Sequence, residues 1–359
     1  MSVSHAGSPL LALTMGDPAG VGPEIIAGAW PGLFVSGNKG VPPCRPVVFG
    51  HPEIIRRAAE LRGVDAEVVP ISSLGEAAGN GYRRRFGPKK IPCLQTVPDS
   101  LLDFTPASIC RAGGEAAWLS LNRGIDAALS GEAAAIVTAP LNKKSLNMAG
   151  HHYPGHTEIL AEKCGVENFA MMLYLGPGEN LRSRTGLSVV HVTLHTAMRN
   201  VFAQITRKSV FEKICLIRDF ARIMKGKEPK IGVCALNCHN GENGLFGDEE
   251  IRKIAPAVKR AASEGFLAYG PFPSDTLMKA AQEGEYDGIV AMIHDQGHIA
   301  VKLMGMFRAV NVTLGLPIIR TSVAHGTAFD RAWKGTATTA GMFEAVRVAV
   351  KLAHARDRG

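Results

Sequence analysis

Short apolar runs alternate with amphipathic stretches along this chain, and that alternation restricts the fold more than any other feature. LLALTMG, from Leu10, has the length and apolarity of a buried strand and ends in the turn DPAGVG. The helix start PEIIAGAW follows, with Pro23 suited to the first helical position and Glu24 to the first turn. PVVFG (Pro46 to Gly50) reads as a strand before the helical HPEIIRRAAELRG, and AAIVTAP (Ala134 to Pro140) as a strand after the helical GGEAAWLSLNRGIDAALSG. FAMMLYL from Phe169, SVVHVTL (Ser188 to Leu194), KIGVCAL (Lys230 to Leu236) and GIVAMIH (Gly288 to His294) are further strand candidates. Strands alternating with helices predict an α/β fold with a largely parallel sheet.

Val210, Ile214, Ile217, Ala221 and Met224 recur at helical spacing. Ser209 and Glu212 are expected to form that helix's capping box, and Gly226 to end it. Val35–Pro46 and Asn80–Pro92, rich in glycine, proline and basic residues, read as surface loops, and Leu175–Gly186 as a hairpin or loop between two strands.

A chain of 359 residues is long enough for two lobes or one large α/β body with a core that needs no staples. The start MSVSHAGSPL lacks the features of a signal peptide, and no apolar run reaches membrane-spanning length. The seven cysteines are odd in number and contain no CxxC pair, which argues against a disulfide framework and for a reducing cytoplasm. The net charge of +8 favours anionic small molecules. Its densest patch, Arg83 to Arg85 with Lys89 and Lys90, has only Tyr82 and Phe86 beside it. We therefore expect a solvated loop there rather than a nucleic-acid face.

In open α/β sheets ligands bind beyond the carboxyl ends of the strands. TAPLNKK follows AAIV; His195 follows SVVHVTL; Asn237, His239 and Asn240 follow KIGVCAL; His294, Asp295 and Gln296 follow GIVAMI. Four strands thus deliver polar residues to the same kind of place, which points to an enzyme. His195, His239 and His294 suit a divalent transition metal with an open position, though three separately bonded loop histidines fit the spacing equally. GHTE (Gly155 to Glu158) can be an anion site at a helix start or simply a cap through Thr157. Lys302, Asn311 and Arg320 recur at intervals of nine residues in a segment too apolar for plain surface. A buried Arg320 needs an anionic partner. HGTAFDRAWKGTA, from His325, reads as a loop entering a helix, with Asp330 placed to bond a ribose. Cys234 falls within a strand and belongs to the core; Cys238 is open between core and ligand.

Here the residues point to a family. LTMGDPAGVGPEI, TAPLNKKSLNMAG, PGHTE, LNCHNGENGLFGDEE, PSDTL, HDQGHIAVK and NVTLGLPIIRTSVAHGTA stand in the order found in the 4-hydroxythreonine-4-phosphate dehydrogenases. The resemblance runs from Leu10 to Leu352. HGTAFDRAWKGTA is also similar to the adenosine loop of the isocitrate and isopropylmalate dehydrogenases. The resemblance implies their α/β fold, two lobes around a largely parallel sheet with a cleft between them. The approximate lobes are 1–140 with 300–359 on the cofactor side, and 141–299 on the metal and dimer side.

It further implies a homodimer with the active site at the interface, the metal ligands being His195, His239 and, from the partner subunit, His294. His156, Thr157, Lys302, Asn311 and Arg320 would bind a phosphorylated substrate. NAD would lie near His325, Gly326 and Asp330, with zinc, magnesium or cobalt as the metal. Asp275 and Lys143 are the candidates for proton transfer. The implied reaction is oxidation of 4-hydroxy-L-threonine 4-phosphate, with D-threonate or D-erythronate 4-phosphate as the alternative substrates. The chain departs from the family's usual LNPHAGEGG at Cys238 and Asn240, beside a ligand position.

Overall fold

The structure is a computed structural model, and it describes residues 7–35, 40–79, 81–178 and 180–357. Residues 36–39 of the expected first loop, Asn80 of the second, Glu179 of the third and the first six residues lie outside that range. The strands in chain order are β1 (Leu10–Thr14), β2 (Arg45–Gly50), β3 (Glu67–Ile71), β4 (Lys90–Gln95) and β5 (Ala135–Thr138). There follow β6 (Ala170–Leu175), β7 (Leu187–His191), β8 (Lys230–Cys234), β9 (Leu267–Phe272), β10 (Gly288–Ala291), β11 (Val310–Leu314) and β12 (Ile319–Val323).

The chain divides into two compact units, Met1–Glu167 with Leu316–Gly359, and Asn168–Gly315. The division differs from the expected lobes at both joins: 141–167 belongs to the first unit and 300–315 to the second. In the first unit the strands run in the order β3-β4-β2-β1-β5-β12, every pair parallel. In the second the order is β11-β6-β7-β10-β8-β9. There β6 is antiparallel to β11 and β7, while β7, β10, β8 and β9 are parallel. β1, β5, β7 and β10 are buried at every position, as parallel strands covered by helices on both faces must be. The α/β architecture with mostly parallel pairing is the one the alternation predicted.

Local differences have physical causes. The long helix starts earlier than expected, at Arg207, and Thr206 is its cap: Thr206 Oγ1 accepts the Ser209 amide at 3.0 Å and Ser209 Oγ accepts the Thr206 amide at 2.9 Å. Ser209 is thus the third helical residue rather than the cap, and Gly226 ends the helix at φ 78° as expected. The second expected loop contains a helical turn, Tyr82–Arg85, and the start of β4. Pro92 hid that strand, because a residue without an amide hydrogen argues against a sheet interior. β6 and β7 pair as a hairpin, Leu175 opposite Leu187.

β1 ends against the loop after β5. Gly16 has φ +71°, and a Cβ there would stand 2.3 Å from the Pro140 carbonyl oxygen. The next residue, Asp17, is fully buried, accepts the Ala19 amide at 3.0 Å and lies against Gly113 in the first turn of the helix Arg111–Leu129. Burial raises its pKa to about 6, against the bonds from Ala19 and Ser145 that lower it. The folded chain therefore holds this proton more tightly than the unfolded chain does. Its stabilising effect is complete at low pH and is lost as pH rises through about 6. Asp17→Asn should raise Tm relative to the parent at pH 8, and the gain should vanish by about pH 4; a gain independent of pH across a calorimetric series would contradict this account.

Candidate active site

β7, β10 and β8 are parallel neighbours, so the segments after them leave the sheet at one edge. His195 follows β7 and adopts φ 26°. His294 opens the helix His294–Gly305 directly after β10. Both line a cavity of about 390 Å³ with Thr193, Thr196, Met198 and Asp295. Their ring centroids are 6.1 Å apart. Asp295 Oδ1 lies 2.7 Å from His294 Nδ1, which makes Nδ1 the protonated nitrogen and leaves Nε2 able to ligate.

His239 follows β8 on a turn with an unusual backbone. His239, Asn240, Gly241, Glu242 and Asn243 all have positive φ, between 42° and 72°. Such a conformation costs an ordinary residue about 1–2 kcal/mol, and glycine and asparagine bear it best. Glu250, 3% exposed, holds the turn's entry: its Oε1 accepts the Leu236 and Asn237 amides at 2.8 and 2.7 Å. Its Oε2 accepts from Asn237 Nδ2 at 2.9 Å, and the turn closes so tightly that a Cβ on Gly241 would meet that oxygen at 2.8 Å. His239 itself is mostly exposed, with Glu242 3.9 Å away. Among the described residues no group of three or more histidine, cysteine, aspartate or glutamate side chains is placed to hold a metal ion. The three candidate ligands therefore do not form a metal site within one chain.

The sequence reading passed over two further histidines. His298 lies one helical turn after His294 and stacks on it, centroids 3.7 Å apart at 11°. Its Nδ1 is 3.2 Å from Nε2 of the buried His191, at the end of β7. Burial and the neighbouring imidazoles lower His191 to about 3 and His298 to about 4, so both are neutral at physiological pH. The signal for His298 was present in HDQGH, since residues four apart share a helix face. Lys302 is exposed on the same helix, and Asn311 on β11 has a buried Oδ1 with no hydrogen-bond partner. Asp275 is exposed in the first turn of the helix Ser274–Gln282.

The first unit carries the other half of the candidate set. Arg320 on β12 is 2% exposed, and its Nε and Nη2 donate to Thr138 Oγ1 at the end of β5, at 3.2 and 2.8 Å. Burial lowers its pKa to about 9, with Glu158 opposing, so it stays cationic at neutral pH. His156 and Thr157 open the helix His156–Lys163, whose amides favour an anion. Burial, then the Arg320 charge, holds His156 well below the usual imidazole range. Lys143, exposed, lies beside Gly155 together with Glu158.

The loop from His325 also belongs to this unit. Thr327 accepts the Val21 amide at 3.0 Å, and a Cβ on Gly20 would stand 2.8 Å from the Thr327 Cβ. Asp330 is exposed, and nothing lies within 4 Å of where a Cβ on Gly326 would stand. That open space and the exposed carboxylate, 3.8 Å from the Arg331 guanidinium, would suit a nucleoside.

Comparison with known proteins decides the family. The family described as pyridoxal phosphate biosynthetic protein PdxA matches residues 42–349. The chain belongs to this family. A D-threonate 4-phosphate dehydrogenase of Salmonella typhimurium is 40% identical over 96% of this chain and 98% of its own. A 4-hydroxythreonine-4-phosphate dehydrogenase of Trichlorobacter lovleyi is 40% identical over 97% and 98%. The crystal structure of the 4-hydroxythreonine-4-phosphate dehydrogenase of Klebsiella pneumoniae matches with a TM-score of 0.79 and 39% identity, over 98% of this chain and 99% of that one. A beta-decarboxylating dehydrogenase of Thermococcus kodakarensis, 15% identical with a TM-score of 0.51 over 94% of this chain and 81% of its own, shares the fold. The protein is a dehydrogenase of the PdxA family.

Removing one partner from a buried polar cluster leaves the others unsatisfied, and Arg320 donates twice to Thr138. Arg320→Met should therefore lower Tm, and the rise in Tm given by inorganic phosphate should disappear. A phosphate-dependent shift that survives in differential scanning fluorimetry would remove Arg320 from the anion site.

Proposed function

We propose that this protein catalyses NAD-dependent, divalent-metal-assisted oxidation of a 4-phosphorylated four-carbon hydroxy acid. What supports the reading is that β7, β8 and β10, parallel neighbours, are followed at the same edge of the sheet by His195, His239 and His294. One chain does not complete the donor set, and the same unit exposes Met198, Phe202, Leu245, Phe246, Leu303 and Phe307. Exposed apolar side chains of that size favour a second copy of this chain as occupant. We place His195 and His239 of one copy with His294 of the other.

The three histidines would hold a zinc, magnesium or cobalt ion, whose Lewis acidity would lower the pKa of the substrate's secondary hydroxyl. Arg320, His156 and Thr157, with Lys302 and Asn311, bind and orient the anionic groups of the substrate. Lys143 or Asp275 would take the hydroxyl proton, and His325, Gly326 and Asp330 would hold NAD, which would supply the hydride acceptor. The resulting β-keto acid loses carbon dioxide. With 4-hydroxy-L-threonine 4-phosphate the first product is 2-amino-3-oxo-4-phosphooxybutanoate, which yields 3-amino-2-oxopropyl phosphate for pyridoxal phosphate biosynthesis. D-threonate 4-phosphate is the second reading, favoured by the name of the Salmonella relative.

All seven cysteines are free thiols, and among the described residues no helix is long and apolar enough to cross a membrane. We place the enzyme in the cytoplasm, acting on small molecules and not on nucleic acid.

NADH formation at 340 nm with added divalent metal and a panel of 4-phosphorylated acids tests the reading. Turnover of 4-hydroxy-L-threonine 4-phosphate far above D-threonate 4-phosphate selects the first substrate, the reverse order selects the second, and turnover of neither defeats the proposal. His239→Ala should lose turnover by a factor of about 100 or more while the fold persists; full activity in that variant would exclude His239 as a ligand. Leu303→Asp should yield a monomer by light scattering and lose activity with it, and an active monomer would exclude a shared site.

A further inference from the structure

The loop Thr327–Ala337 is tied down on its inner side and free on its outer side. Glu24, in the first turn of the helix Gly22–Ala29, is fully buried. Its Oε2 accepts the Trp333 amide at 2.6 Å and its Oε1 the Gly335 amide at 2.8 Å. Arg62, at the end of the helix Pro52–Leu61, donates to the Gly335 carbonyl and, at 3.0 Å, to that of Ala337. Trp333 Nε1 donates to the Pro18 carbonyl at 2.8 Å. Its ring packs on Ala27, Ala58 and Ala59, with Phe104 6.0 Å away. The loop's own geometry is costly, with Ala328 at φ 44° and Trp333 at φ 57°. Non-glycine residues hold such angles only where the surroundings fix them. Meanwhile Asp330, Arg331 and Lys334 keep their side chains in solvent.

We infer that Glu24 is a positioning residue for the cofactor: its carboxylate clamps the amides of Trp333 and Gly335 so that the 325–334 face is preformed for NAD. A clamp serves this purpose because a loop already ordered gives up less conformational freedom on binding. Glu24 needs no contact with the cofactor. The inference rests on the reading that this loop receives NAD, and the experiment separates the two.

Glu24→Gln keeps shape and volume but leaves one carbonyl oxygen to accept where two oxygens stood. Hydrogen exchange of the Trp333 and Gly335 amides reads the clamp directly, and calorimetric titration with NAD reads the consequence. Exchange at both amides should quicken while the sheet stays protected, and Kd for NAD should weaken about tenfold or more. The phosphate-induced rise in Tm should be retained. Wild-type exchange at both amides in the variant would overturn the clamp. Quickened exchange with an unchanged Kd would overturn its role in cofactor binding. NAD failing to bind the parent protein would instead defeat the underlying reading. Should Glu24→Gln not fold, Glu24→Asp decides the same question. It keeps the charge but draws the carboxylate back by one methylene from the two amides, so it should produce the same two changes, and their absence there would equally overturn the inference.

Discussion

Two buried carboxylates hold the loops that carry the proposed cofactor and metal residues. Glu24 grips the backbone of 333–335, and Glu250 grips that of 236–237 at the entry to the His239 turn. A buried carboxylate is costly unless its oxygens are satisfied. Here each accepts from backbone amides, which form some of the stronger hydrogen bonds available to a protein. The exchange runs both ways: the amides satisfy the carboxylate oxygens, and the carboxylate makes positive φ angles tolerable at Trp333 and near His239. The parallel sheets fix where each strand ends, but a strand end leaves a loop many conformations. The carboxylates remove that freedom.

The electrostatics of the two units are complementary in kind. The first buries a cation, Arg320, beside an imidazole that its charge helps keep neutral. The second gathers His191, His294 and His298, of which burial keeps His191 and His298 neutral. A permanent cation with helix amides attracts phosphate or carboxylate. Neutral imidazoles at His191 and His298 add no positive charge beside His294, the residue proposed as a ligand.

The α/β class was legible because alternation of apolar runs survives small errors of boundary. β1, β2, β5, β6, β7, β8 and β10 could each be read from such a run. β4 could not, since Pro92 interrupts its pattern, and the Thr206 cap was missed because a Ser209–Glu212 pair offered an equally good local signal. The positions of His195 and His294 followed from strand ends, and their meeting in one cavity required the parallel pairing of β7 with β10. What no local pattern could reveal was long-range tethering. Glu24 reads as an ordinary first-turn acid, and only the fold brings it to residues more than three hundred positions away. The left-handed turn had a faint signal in NGENG, whose glycines and asparagines tolerate positive φ.

The family's relatives named for 4-hydroxythreonine 4-phosphate and for D-threonate 4-phosphate are equally similar to this chain, each at 40% identity. The proposed site explains why similarity does not separate them. Both substrates carry a terminal phosphate, a carboxylate and an oxidisable hydroxyl, and the residues proposed above for the substrate and the metal would address those three. The substrates differ at the second carbon, an ammonium in one and a hydroxyl in the other. A site distinguishes such groups by whether a buried donor or acceptor is left unpaired, not by its strongest anchors. Selectivity between them therefore falls on the few acidic or polar side chains that would face the second carbon, which can change while the motifs that define the family stay the same.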